Sequence, residues 1–216
     1  MCGRYAFSRV DKQLLERLGI KAEQIPAGLA PRFNIAPGQQ APAVQVRADG
    51  LQMTLQRWGF PKAEGGLLIN ARVETASTLP TFRDAWRHRR CALPAEGWFE
   101  WLKEGRQRRP HYIQAAGGRT VLLAGLWQPL PAGGAAHVIL TCPAVPAIAH
   151  LHPRMPFVLP DEGWEAWLRG EGDASLTVWP EALLNCWEVA PRVNGVAVDD
   201  EELLAPVQSA QGRLFA

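Results

Sequence analysis

The chain has 216 residues, 47% hydrophobic and 20% charged, with a formal net charge of +2, enough for one domain with a full core. No apolar run reaches the ~18 residues of a membrane span and the first segment lacks the layout of a secretory signal, so a cytosolic protein with no membrane partner is expected. Cys2, Cys91, Cys142 and Cys186 are widely spaced without a C-x-x-C pair, which argues against a disulfide framework or zinc site; neither metal nor cofactor is expected.

In chain order, "SRVDKQLLERLGI" reads as a first helix, with Ser8 as cap, Val10, Leu14 and Leu18 on one stripe and Gly19 at its end. "AVQVRADGLQMTLQRWGF" reads as a hairpin about an Asp49-Gly50 turn. "TLPTFRDAWRHRR" places Phe82, Ala85, Trp86 and Arg89 on one helical stripe, behind caps at Thr75 and Ser77. Strands are predicted at "CALPA", "GWFEWLK", "PHYIQAA", "TVLLAGLW", "AHVILTC" and "PFVLP", and a short helix at "DEGWEAWLRG". "PEALLN" and "CWEVA" close the core. The pattern predicts an α+β fold: a curved, mainly antiparallel sheet or open β-barrel flanked by a few helices. Residues 1–198 form the single domain, and 199–216 a tail, loosely ordered.

Charge is unevenly distributed. Residues 1–120 carry +9 and residues 121–216 carry −7, and arginine supplies 19 of the 23 basic residues. Guanidinium suits bidentate phosphate contacts and base stacking, so the first half hints at nucleic acid. A solvated surface in an arginine-rich composition is the plain alternative.

Four stretches carry residues that packing alone does not require. "MCGRY" supplies Cys2 and Arg4. "LLINARVET" sets Asn70 and Arg72 on one strand face. "EGWFEWLKEG" embeds Glu100 in an aromatic strand, with Trp98 on its own face and Phe99 and Trp101 opposite. "HLHPRMPFVLP" puts His152 and Arg154 in a proline-bounded turn. Each has a bland reading: Asn70 satisfying a turn, Glu100 facing water, His152 a loop histidine, Cys2 a packing residue. Together they assemble a thiol, an amide, a carboxylate and an imidazole.

The blocks "MCGRY", "RFNIAPGQ", "RWGF", "INARVETA", "RRCALPAEGWFEW" and "HLHPRMPFVL" occur in this order, and through them the chain resembles the SRAP family (SOS-response-associated peptidase, the abasic-site processing proteins) from residue 2 to about residue 195. The resemblance implies covalent crosslinking to abasic sites in single-stranded DNA, shielding the lesion in the DNA damage response, with lyase-type activity and thiol-dependent removal of the initiator residue. Once Met1 is removed, Cys2 is a 1,2-aminothiol whose amine forms an imine with the ring-opened sugar aldehyde and whose thiol then closes a thiazolidine.

By the same resemblance Glu100 transfers protons, His152 assists ring opening and reversal, and Asn70 holds the reacting sugar or the Cys2 amine. Arg4, Arg72 and Arg154 contact phosphates, Asn34 and Pro37 belong to a loop wedged against bases, and Thr141 contacts the DNA backbone. The expected partners are single-stranded DNA and single-to-double-strand junctions, bound by a monomer that associates with the nucleoid. The chain departs from the family at "PKAEGGLL", which lacks the aromatic pair common before the "INARVET" block. Two other readings stay open: a cysteine peptidase or N-terminal-nucleophile amidohydrolase built on Cys2, His152 and Glu100, and a non-catalytic DNA reader using the arginine-rich half. If Met1 is retained, it is expected in or near the sugar pocket.

Overall fold

The computed structural model describes residues 2–10, 12–48, 50–171 and 184–207. A short strand, β1 (Tyr5–Phe7), precedes helix α1 (Lys12–Leu18). Leu14 and Leu18 are buried as their spacing predicts, and Gly19 ends the helix at φ +60°, a conformation that favours glycine. Ser8 does not cap this helix. Its hydroxyl donates to Glu96 Oε2 at 2.8 Å, and the amides of Ser8 and Arg9 donate to Glu96 Oε1 at 3.3 and 3.1 Å. A buried carboxylate satisfied by three donors outcompetes a local cap.

After β2 (Arg32–Ile35), strands β3 (Gln40–Arg47) and β4 (Gly50–Trp58) form the predicted hairpin, with Arg47 opposite Gly50; Asp49 lies outside the described residues. Short strands β5 (Phe60–Pro61), β6 (Leu67–Leu68) and β7 (Asn70–Arg72) lead into α2 (Val73–Ala76) and α3 (Arg83–His88). Thr75 therefore lies inside α2 and Ser77 ends it, so neither caps α3. Pro80 lies between the two pieces, where it disfavours helical backbone at Leu79. The buried stripe of Phe82, Ala85 and Trp86 is as predicted.

The second half is built from β8 (Arg90–Ala95), β9 (Gly97–Glu104), β10 (Gln107–Ala115), β11 (Val121–Pro129) and β12 (Ala135–Pro143). Then come α4 (Pro146–Ala149), β13 (Arg154–Pro156), α5 (Trp164–Arg169) and β14 (Leu184–Glu188). The strand expected at "PFVLP" lies earlier, on Arg154–Pro156, and Val158 makes only a single bridge to Leu123. Most of "PEALLN" lies outside the described residues.

One antiparallel sheet has the order β14-β10-β9-β1-β2. A second, larger sheet has the order β11-β8-β3-β4-β12-β13, with β7 also on β12 and β11 pairing again with β12, so it curls back on itself without becoming a true barrel; β5 and β6 pair separately as a two-stranded sheet. The fold is α+β, as the sequence pattern predicts. The main core packs Tyr5, Trp58, Trp98 and the aliphatic faces of the curled sheet. A smaller cluster of Phe99, Tyr112, Val189, Val193 and Leu203 covers the opposite face of the first sheet.

Part of the segment 199–207 is tied to the body of the protein. Asp199 Oδ1 accepts from the amides of Phe33 at 2.5 Å and Asn34 at 2.9 Å, Asp199 Oδ2 pairs with Arg32, and Leu203 is buried. A carboxylate with three donors holds this segment against β2. Residues 208–216 lie outside the described residues. No described helix is long and apolar enough to cross a membrane.

Candidate active site

The site lies at the seam between the two sheets. β1 is held between β2 and β9, with Tyr5 opposite Ile35 on one side and Trp98 on the other, and Ala6 opposite Gly97. On the other side of β9, Gly97 permits the close approach of β10: a Cβ there would lie 2.4 Å from the Ile113 carbonyl oxygen and 2.5 Å from the Tyr112 ring. The amide of Phe99 donates to Arg4 O at 2.9 Å, so the chain at Cys2 and Gly3 runs back along the part of β9 that carries Glu100. Cys2 has no exposed surface and Glu100 is 4% exposed.

Asn70 reaches the same place from the second sheet. β7 pairs in parallel with β12, with Asn70 opposite Ile139. The preceding carbonyl, Ile69 O, is fixed by two donors: Trp58 Nε1 at 2.9 Å and the Ile139 amide at 3.1 Å. Trp58 in turn packs edge-on against Tyr5, ring centroids 5.2 Å apart, so one indole braces both sheets. From this base Asn70 Nδ2 donates to Cys2 O at 2.8 Å, and its buried Oδ1 has no hydrogen-bond partner among the described residues. That leaves an acceptor beside the Cys2 backbone. Met1 lies outside the described residues, so the position expected for it is not described.

Burial governs the electrostatics. Desolvation pushes the Glu100 carboxyl up from 4.5 to about 7, so it exchanges protons near neutrality. Desolvation first, and the Glu100 charge second, push the Cys2 thiol upward, keeping it protonated; Sγ donates to Arg4 O at 3.8 Å. His152, in the turn between α4 and β13, has its pKa lowered chiefly by burial. Its Nδ1 lies 3.0 Å from the Arg154 amide nitrogen and 3.1 Å from Arg154 O, so the backbone of the turn fixes the ring.

The residues expected to contact DNA divide into two groups. Arg72 is exposed and makes no hydrogen bond or ion pair with a described residue, so its guanidinium is open to an external anion. Arg4 is half-buried, with Nη1 donating to Asn34 Oδ1 at 2.7 Å and Val193 O at 2.8 Å. Pro37 is half-buried in the loop after β2. Direct DNA contact does not fit the other two small side chains. Thr141 is fully buried, with its hydroxyl donating to Ala71 O at 3.3 Å, because it points into the β7–β12 pairing. Asn34 is fully buried, with Nδ2 donating to Gly195 O at 3.0 Å and Val198 O at 2.6 Å; it ties β2 to the C-terminal segment.

Arg154 is also engaged internally. Nη1 and Nη2 grip Glu74 Oε1 and Oε2 at 2.6 and 2.8 Å, and Nη2 also donates to Thr141 O. Glu74, Thr141 and Arg154 therefore form a brace behind the His152 turn. The sequence reading gave no role to Trp58 or to Glu74, although Glu74 alternates with Asn70 and Arg72 and Trp58 lies in the "RWGF" block. Among the described residues no group of three His, Cys, Asp or Glu could hold a metal ion.

With this geometry in place, residues 1–196 match the SRAP family, described as SOS response associated peptidase. The chain belongs to the SRAP family. It is 36% identical over 179 residues to the abasic site processing protein YedK of Escherichia coli (strain K12), covering 79% of this chain and 81% of that protein. It is 31% identical over 181 residues to the abasic site processing protein YoqW of Bacillus subtilis (strain 168), covering 78% and 80%. A crystal structure of a protein from Bordetella bronchiseptica superposes with a TM-score of 0.72 at 26% identity, covering 88% of this chain and all of that one.

Proposed function

We propose that this SRAP protein processes abasic sites in single-stranded DNA and at strand junctions, by covalent capture at Cys2. The observation that carries the reading is the hydrogen bond from Asn70 to the Cys2 carbonyl, beside a buried carboxyl that exchanges its proton near neutrality. The names of the relatives, abasic site processing proteins, support the same reading.

Removal of Met1 frees the Cys2 amine. The amine adds to the aldehyde of the ring-opened sugar to give a carbinolamine. Glu100 protonates its hydroxyl, water leaves, and an imine forms. The thiol then adds across the C=N bond, its proton passing to nitrogen, and a five-membered thiazolidine closes. No redox partner is required. A thiol kept protonated by burial suits this order, in which the amine attacks first. Asn70 fixes the Cys2 backbone, and His152 assists sugar opening and reversal. The product shields the lesion, and removal of Met1 is the family's self-processing step.

A general peptidase has less support, since Cys2 Sγ bonds to a backbone carbonyl rather than to His152 or Glu100, and peptide hydrolysis by cysteine needs a thiolate. The test is incubation with an abasic oligonucleotide, then denaturing electrophoresis and mass analysis of the N-terminal peptide. A heat-stable adduct without borohydride is expected, lost in Cys2→Ala and reduced to a borohydride-trapped imine in Cys2→Ser. A stable adduct in Cys2→Ala would overturn the assignment.

A further inference from the structure

The tip of the β9–β10 hairpin carries Lys103, Arg106, Arg108 and Arg109 against Glu104 alone. Arg109 is already paired with Glu104 and with Glu188 on β14. The other three are exposed, and none makes a side-chain hydrogen bond or ion pair with a described residue. Lys103 and Arg108 stand directly opposite each other across the two strands, so their side chains share one face. Like charges in that position destabilise a strand pair. The nearest acid, Glu104, is on Arg109 and does not relieve them. This uncompensated repulsion fits a surface built to meet an external anion.

Its place in the fold identifies the anion. Side chains alternate along β9, so Lys103 lies on the same face as Trp101, two residues further out. Trp101 carries the Arg4 guanidinium 6.0 Å from its ring centroid and donates from Nε1 to Asn194 Oδ1 at 2.7 Å. The row therefore lies on the face of β9 opposite Glu100 and runs from Arg4, two residues along from Cys2, through Trp101 to the hairpin tip. Lys103 is also within electrostatic reach of His152. The two strands are ~4.8 Å apart, so the opposed cations converge on one line of phosphates rather than spanning a duplex groove.

We propose that Lys103, Arg106 and Arg108 form a phosphate-binding arm that leads single-stranded DNA away from the site beyond Arg4. The inference rests on the DNA reading above and extends it to residues outside the expected set. In this chain the arm supplies backbone affinity that the segment "PKAEGGLL", without an aromatic pair, does not.

The experiment compares wild type with Lys103→Ala/Arg108→Ala, using Lys12→Ala/Lys21→Ala, which removes the same two charges elsewhere, as a control for net charge. Binding of an intact single-stranded oligonucleotide and of its duplex is measured across salt, together with crosslinking to the abasic strand. The double variant should bind single strands at least ~10-fold more weakly, with the salt slope flattened by about 1.4 because two phosphates are no longer neutralised. Its Tm should be equal to or above that of wild type, because the repulsion is gone; Lys103→Gln/Arg108→Gln repeats the test with longer side chains. Wild-type affinity and slope in both arm variants would overturn the arm, as would an equal loss in Lys12→Ala/Lys21→Ala or a loss confined to duplex DNA. If wild type crosslinks abasic DNA while the variants bind unchanged, only the arm fails. If wild type neither binds nor crosslinks, the functional reading falls and the arm with it.

Discussion

Glu100 shows how one residue's surroundings set its chemistry. Burial on an aromatic strand raises its folded pKa from 4.5 to about 7, so the folded protein holds this proton more tightly than the unfolded chain does. The resulting stability is present below the ordinary carboxylate range and is lost as pH rises from there through about 7. Glu100→Gln should therefore raise Tm at about pH 8 but not at about pH 4, measured by thermal melts. It should also slow adduct formation and abolish the fall in rate above neutrality that a general acid imposes. No Tm gain at the higher pH, with an unchanged pH–rate profile, would contradict the assignment.

The two strand-end arginines separate by the same logic. Arg72→Ala should flatten the salt slope of DNA binding and leave Tm unchanged, because that guanidinium holds nothing internally. Arg154→Ala should lower Tm and slow the His152-dependent steps, because Glu74 and Thr141 lose their donor. Salt titrations and melts on both variants check this. Equal changes in slope with no difference in Tm would leave Arg154 as a simple phosphate contact.

Among the elements, the seam between the sheets decides whether the site exists. Trp58 bonds Ile69 O from β4 and packs on Tyr5 of β1, so it sets the distance from Asn70 to Cys2. Trp58→Phe keeps a ring but removes the N–H. The Ile69 carbonyl retains its bond from Ile139, so a stability loss of about 1–2 kcal/mol is expected. The rate of adduct formation should fall more than DNA binding does, and single-turnover kinetics beside a denaturant titration test it. An unaltered rate with reduced stability would make Trp58 a packing residue only.

Alternation along β9 to β12 and the helical stripes made most of these elements legible in sequence, since period and burial follow from local spacing. Partners from distant segments were not legible. Ser8 reads as a helix cap until Glu96 is folded beside it, and Thr141 reads as a surface hydroxyl until β7 covers it. Cys2, Asn70, Glu100 and His152 were singled out as candidates through the family's blocks. Their geometry depended on Trp58 and Glu74, whose roles appear only in three dimensions.

At the scale of the whole molecule, residues 193–199 are tied to Arg4 and β2. Asp199 clasps Arg32 and the amides of Phe33 and Asn34, Asn34 bonds the carbonyls of Gly195 and Val198, and Arg4 bonds Val193 O. The C-terminal segment thereby holds β2 and Arg4, and through them β1 and Cys2. Asp199→Ala should cost roughly 1.5–3 kcal/mol through lost bonds to a charged acceptor and should slow adduct formation although it lies outside the site. Chemical denaturation and adduct kinetics test this coupling. Wild-type stability would show that the segment is not a clasp.

The central claim is that Cys2 acts through its α-amine and thiol together. The most direct measurement uses a cleavable extension ahead of Cys2, assayed for heat-stable crosslinking to abasic single-stranded DNA before and after cleavage. While the extension is present, the Cys2 nitrogen is an amide whose lone pair is delocalised into the carbonyl, and it cannot form an imine. The account predicts DNA binding in both states and a stable adduct only after cleavage exposes Cys2. Equal crosslinking before and after cleavage would contradict it.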